Sequence, residues 1–259
     1  MNKDRYPSPF DPPSECLPEA QPRPFSPCSP SCSPCEACAV RGLSICSGLE
    51  IEDLFHLDRI VSKVSARAGG AIFDEGEPAM NRFIVTHGCV RIYRLLGDGR
   101  RQIFGFLFPG DFLGLTIGKE YAYSAEAVVE SHLCRFQQHE LEELVGRFPA
   151  LEKRLMGATI NELVVAQDQM VLLGRKSAEE KVATMLLTLS KRAEQRGMPG
   201  NPVSLPMTRS DLGDYLGLTT ESVSRTMTLL KTGGLIRLEA ANQVHLIELE
   251  KLEDMTEGF

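Results

Sequence analysis

The hydrophobic positions of this chain change period three times, and each change marks a different kind of structure. Residues 1–34 show no period; ten of the sixteen prolines fall there, among Ser, Gln and Glu. Such a composition cannot bury a core, so this stretch reads as a disordered tail. EIEDLF (50–55) begins a short helix. From about Val64 the period moves towards two, and RFIVTHGCVRIYRLL has strand composition. Gly97-Asp98-Gly99 then offers a hairpin turn before RQIFGFLF. Gly76, Gly88, Gly110 and Gly114 punctuate runs of strand length, and YSAEAVVESHLCRF (123–136) supplies the last strands. Short strands with turn signals at such intervals predict an antiparallel sandwich or roll.

The period then becomes helical. Phe148, Leu151, Leu155, Thr159, Leu163, Ala166, Met170 and Leu173 recur at gaps of three and four. This is a narrow apolar seam on one long helix, suited to pairing with an identical helix in a homodimer. Ser177 with Glu180 three residues on forms a capping box for SAEEKVATMLLTLSKRAEQRG (177–197). After a turn-rich break from Gly197 to Pro206, Thr208 caps RSDLGDYLG. Gly217-Leu218-Thr219 makes a tight turn, and ESVSRTMTLLKTGG forms a second helix ending in glycines. Leu212, Leu216, Leu218, Val223, Met227 and Leu230 lock the two helices together. Thr220, Glu221, Ser224 and Arg225 are then left on the exposed N-terminal face of the second helix, the part that enters a DNA major groove. Arg can donate two hydrogen bonds to guanine, and Glu can accept from cytosine N4. LIRLEAANQVHLIEL closes the unit as two strands around an Ala-Ala-Asn turn, a wing. An ordinary helix pair explains the apolar positions but not this outward polar quartet with its hairpin.

The formal net charge of −7 argues against nucleic acid until its distribution is considered. Residues 175–237 carry ten Lys/Arg and six Asp/Glu, a local +4 that leaves −11 elsewhere. Phosphate binding follows the local surface, so charge permits DNA binding without proving it. The start, MNKDRYPSPFDPP, has no apolar core of a secretion signal. No run approaches the roughly 20 apolar residues of a membrane span, so a cytoplasmic protein with no membrane partner is expected.

In a reducing compartment, clustered cysteines point to metal or redox chemistry. Six of eight crowd into residues 16–46, five of them as Cys28-x3-Cys32-x2-Cys35-x2-Cys38-x7-Cys46; Cys89 and Cys134 lie further on. Four thiolates suit an iron–sulfur cluster or zinc equally well on spacing alone. Cys89, on a strand, reads as an inert core residue. The five histidines, His56, His87, His132, His139 and His245, form no heme signature. No nucleotide-binding glycine fingerprint or nucleophile–base constellation supports an enzyme, such as an iron–sulfur redox enzyme.

TRSDLGDYLGLTTESVSR resembles the helix-turn-helix of the CRP/FNR family of bacterial transcription factors, and the likeness extends over about residues 35–250. The resemblance implies an α+β architecture: a tail (1–34), a cysteine cluster-binding segment (35–50) and an N-terminal antiparallel β-roll, the cyclic-nucleotide-binding-like jelly roll (51–146). A long dimerisation helix (147–175) and a C-terminal winged helix-turn-helix (176–259) complete it. It implies double-stranded DNA with a palindromic operator and RNA polymerase as partners, the latter at Gly97-Asp98 and around Ser124. By the same resemblance Glu221, Ser224 and Arg225 contact bases. Thr220, where cyclic-AMP-responsive members carry Arg, favours a TTGAT-N4-ATCAA-like operator. Within the family the chain looks FNR-type (FnrL/FnrN-like), which implies an oxygen-sensing [4Fe-4S] cluster on Cys35, Cys38, Cys46 and Cys134. Cys32 or Cys28 remains able to replace one of the first three, and a clusterless, zinc or thiol-based regulator is the alternative. Leu115 and Tyr123-Ser124 stand where cyclic-nucleotide binders carry their ribose acid and phosphate Arg-Ser, so no cyclic nucleotide is expected.

Overall fold

The computed structural model of the chain describes residues 34–116, 118–240 and 242–256. The expected proline-rich tail, with Cys16, Cys28 and Cys32, lies outside the described residues apart from Pro34. The described chain begins with 3-10 turns at Arg41–Leu43, Ile45–Gly48 and Ile51–Asp53. The short helix expected near residue 50 follows as α1 (Leu54–Ile60).

Eight strands then build the roll: β1 (Val61–Ala66), β2 (Ala71–Phe73), β3 (Asn81–His87), β4 (Val90–Leu95), β5 (Arg101–Leu107), β6 (Phe112–Leu113), β7 (Ser124–Ala127) and β8 (Ser131–Gln137). They form two antiparallel four-stranded sheets, in the orders β1-β8-β3-β6 and β2-β7-β4-β5. The run RFIVTHGCVRIYRLL divides at Gly88-Cys89, so β3 and β4 belong to different sheets. Phe73, Phe83, Val85, Val90, Ile92, Leu113 and Leu133 fill the space between the sheets. The hairpin expected at Gly97-Asp98-Gly99 joins β4 to β5.

Two helices follow, α2 (Gln138–Arg147) and α3 (Pro149–Arg175). Here the long-helix expectation needs correction, because Phe148 is extended (φ −123, ψ 95) and caps α3 instead of starting its seam. Pro149 is the reason: it occupies the first helical turn and disfavours helical backbone in the residue before it. The seam is also divided in use. Leu151 is buried and Leu155 half-buried against the protomer's own roll-side core, while Leu173 is partly buried against the C-terminal unit, beside the buried Leu172. Between them Met156, Ile160, Leu163, Val164, Val165, Met170 and Val171 are exposed, a wider apolar face than the predicted line.

The C-terminal unit comprises α4 (Ala178–Gln195), β9 (Val203–Ser204), α5 (Arg209–Leu216), α6 (Thr220–Thr232), β10 (Ile236–Ala240), β11 (Gln243–Leu246) and α7 (Leu249–Thr256). The capping box at Ser177 and Glu180 is present. β10, β11 and β9 form a small antiparallel sheet, with Ala241 of the wing turn outside the described residues. One apolar core runs from Ile103, Phe106 and Phe108 of the roll into Val182, Leu186, Leu212, Leu216 and Met227. Reader and roll therefore pack as neighbours.

Candidate metal centre and nucleic-acid interface

Cys134 lies on β8, in register with Lys63 of β1 and Ile84 of β3. Leu133 beside it is buried in the roll core. Strand alternation therefore sends Cys134 to the outer face of the sheet, where the cysteine segment lies. Cys35 and Cys38 sit in the opening turn, with the Cys38 amide donating to the Cys35 carbonyl at 3.4 Å. Cys46 sits in the 3-10 turn Ile45–Gly48, whose capping Ser44 hydroxyl accepts from the Cys46 amide. Cys35, Cys38, Cys46 and Cys134 line one small cavity with Val40, Ile84 and Phe136. The four residues that the family resemblance implied are thus neighbours.

Their chemistry is that of a soft site. Burial, followed by the neighbouring Cys38 and Cys46, pushes the Cys134 thiol up to about 11. Burial, followed by the Asp58 carboxylate, raises Cys35, and burial raises Cys46. A group that binds as a thiolate complex must therefore displace these protons, as soft metal centres do. The donor set fits an iron–sulfur cluster or zinc in kind and number. The cavity is small, about 20 Å³, and is lined on one side by residues 35–46 and on the other by β3 and β8. Among the described residues, no group of three or more His, Cys, Asp or Glu is arranged to hold a metal ion. Cys89 stands apart in the turn between β3 and β4, not on a strand, and its burial raises it to about 12.

Two residues that sequence reasoning missed hold this segment. Asp58 of α1 accepts the Cys35 amide at 3.1 Å. Gly48 presses on the start of α3, where an added Cβ would lie 2.7 Å from the Ala150 carbonyl oxygen and 2.8 Å from Leu151 Cα. Neither pairing has a local sequence signal, since each joins distant parts of the chain.

At the other end, Thr208 caps α5 reciprocally with Asp211. Gly217 takes the left-handed conformation (φ 62) that turns the chain between the helices. The Thr219 hydroxyl accepts from the Ser222 amide to start α6. Leu212, Leu216, Val223, Met227 and Leu230 are buried between the elements. Thr220, Glu221, Ser224 and Arg225 are all exposed on the first turns of α6. The helix pair and wing have the form that places a recognition helix in a major groove.

Within the roll, the Tyr123 hydroxyl accepts from the Gly114 amide at 3.2 Å. The Ser124 hydroxyl accepts from the Glu75 amide at 2.9 Å. Tyr121 stacks on Phe73 with ring centroids 3.8 Å apart. Ser124 itself is buried, whereas Ala122 two residues before it is exposed.

Known families match both halves of this arrangement. Residues 63–148 match the cyclic nucleotide-binding domain family, and residues 180–255 match the Crp-like helix-turn-helix domain. The nitrogen fixation regulation protein FixK of Bradyrhizobium diazoefficiens is 40% identical over 204 residues, 79% of this chain and 86% of that protein. The chain belongs to the CRP/FNR family of transcription regulators. The transcriptional activatory protein AadR of Rhodopseudomonas palustris is 43% identical over 78% of this chain and 85% of its own length. The transcriptional activator protein FnrL of Cereibacter sphaeroides is 34% identical over 84% and 90%. The solved structure of FixK2 from Bradyrhizobium japonicum matches with a TM-score of 0.72 at 38% identity, covering 77% of this chain and 99% of that one. Its helix-turn-helix domain makes it a DNA-binding transcription regulator. Among the described residues, no helix is long and apolar enough to cross a membrane.

The Gly48 contact yields a test. Gly48→Ala should cost about 1–3 kcal/mol, because main-chain atoms must move to admit the methyl group. Gly42→Ala, with nothing within 4 Å of the added Cβ, should be nearly neutral. Chemical denaturation midpoints compare the two, and equal midpoints would mean that the contact yields freely.

Proposed function

We propose that this regulator responds to oxygen through a [4Fe-4S] cluster held by Cys35, Cys38, Cys46 and Cys134. Under low oxygen it dimerises and binds a TTGAT-N4-ATCAA-like palindrome. The observation that carries the reading is the meeting of three thiols from the N-terminal segment with Cys134 at one cavity. A bound cluster supplies an oxygen-labile tie between that segment and the roll. The chain's own contacts do the rest. Ile45 and Leu49, on either side of Cys46, share a core with Leu151 of α3, and Gly48 abuts the same turn. A shift of residues 45–48 is thereby a shift of the start of α3. The exposed apolar middle of α3 is the homodimer face, and the two α6 helices of the dimer would stand about 34 Å apart.

The division at residues 34, 50, 146 and 175 belongs to the same proposal, as does a cytoplasmic location. RNA polymerase is taken to meet the exposed Gly97-Asp98 turn. The roll takes no cyclic nucleotide in this reading: Tyr123 and Ser124 are engaged with Gly114 and Glu75 where a phosphate would need an Arg. A second reading is zinc or a thiol switch on the same cysteines, because four thiolates suit zinc as well in kind and number.

Iron and sulfide analysis of protein purified without oxygen separates these readings. Cys134→Ser should lose the bound iron and Cys89→Ser should keep it. Full iron in Cys134→Ser, or zinc in its place in the parent protein, would reject the assignment. For the dimer face, Leu163→Glu sets two like charges against each other across a two-fold axis. Anaerobic sedimentation should then show monomers that retain iron, whereas unchanged dimers would place the interface elsewhere. For base reading, Arg225→Ala should cost about 1–3 kcal/mol per half-site and relax preference at its guanine. Titrations against operators with that guanine replaced measure this, and undiminished discrimination would remove Arg225 from the reading set.

A further inference from the structure

Asp211, 2% exposed, serves two parts of the molecule at once. Its Oδ2 accepts from the Thr208 amide at 3.0 Å and the Thr208 hydroxyl at 2.8 Å, closing the cap of α5. Its Oδ1 accepts from Arg91 Nη1 at 3.0 Å and Arg101 Nη2 at 2.7 Å, side chains of β4 and β5 in the roll. Arg101 Nε reaches Asp214 Oδ2 at 2.9 Å, further along α5. Gln102 Nε2 donates to the Asp214 carbonyl at 2.8 Å. Arg91 is also paired with Glu126 of β7, but its Nε is buried without a hydrogen-bond partner. Arg101 is the better satisfied of the two clamps.

A buried ion pair adds little net stability over an apolar substitute, because desolvation offsets the attraction. What a planar guanidinium adds is direction: it holds carboxylates at fixed distance and angle. Here the fixed object is α5, and α5 carries α6 through the tight Gly217 turn and the shared core of Leu212, Leu216 and Val223. The last turn of the same helix is also tied to α3, where Gln169 Nε2 donates to the Tyr215 carbonyl at 2.7 Å.

We propose that Arg101, with Asp211 and Asp214, is a positioning residue for DNA reading. It sets the stance of α6 against the roll and hence the half-site spacing that the dimer accepts. The inference rests on the reading of α6 as the base-contacting helix and of α3 as the dimer axis. One inserted base pair moves a half-site by about 3.4 Å and turns it about 34°, which a rigidly held pair of helices cannot follow.

The test uses the full chain prepared without oxygen, titrated against the palindrome and against versions with one base pair added to or removed from its centre. The parent protein should lose about tenfold or more on either change. Arg101→Leu should lose less than about threefold on the same changes, with its preference for the half-site guanine intact and its unfolding still cooperative. Arg101→Lys, which keeps a charge but not the fork, should fall between them. Asp214→Asn, at a partly exposed position, should relax spacing in the same direction and decides the matter if Arg101→Leu does not fold. Spacing discrimination undiminished in the folded variants, with both operators weakened alike, would overturn the proposal and leave the clamp a purely structural role. Arg225→Ala in the same assay should show the reverse pattern, with guanine preference lost and spacing kept. If Arg225→Ala keeps guanine preference while Arg101→Leu relaxes spacing, the base-reading assignment fails and the positioning role stands.

Discussion

A glycine without room for a methyl group connects the two ends of this molecule. Gly48 lies so close to Ala150 and Leu151 that the cysteine segment and the first turn of α3 share one surface. Packed interiors transmit displacement because they have few voids to absorb it. Cys46 stands two residues earlier, and its neighbours Ile45 and Leu49 share a core with Leu151 of the long helix.

Helix α3 carries that contact to the reader. Over its 27 residues it runs from Ala150 at the cysteine segment to Gln169 and Leu173 at the helix-turn-helix. Gln169 holds the last residues of α5, and a Leu173 methyl would lie 3.2 Å from a Cβ added at Gly217, the turn between α5 and α6. The Arg101 clamp also fixes α5 to the roll. The recognition helix is thus reached from both α3 and the roll, and in the proposed function the cysteine segment alters their relative position. Such an arrangement suits a population shift between two packings better than a new contact at the DNA.

Much of this was legible in the sequence because it depends on local rules. Alternation and glycines marked the roll, and Ser177 with Glu180 and Thr208 marked helix starts. The spacing of Leu212, Leu216 and Val223 marked the reader and left Thr220, Glu221, Ser224 and Arg225 outward. Pro149 was the local signal passed over, and it divides a helix expected to run through Phe148. Helices α2 and α7 were also unforeseen, their apolar positions being too few to stand out from neighbouring runs. The contacts of Asp58 with Cys35, Gly48 with Ala150, and Arg101 with Asp211 join residues far apart in the chain. No spacing rule reaches across such distances, and only the fold brings them together. For the cysteines, gaps of two and seven residues suit several soft centres. The place of Cys134 on the outer face of β8 follows only once the sheet register is known.

The central claim is that an oxygen-labile group on these four thiols governs DNA binding through α3. It is tested most directly by operator affinity of one anaerobic preparation before and after air, with iron and sulfide measured in both samples. The account predicts about four irons per chain with tight binding before air, and parallel loss of sulfide, dimer and affinity after it. Equal affinity in the two samples, or tight binding by protein that never held iron, would contradict it.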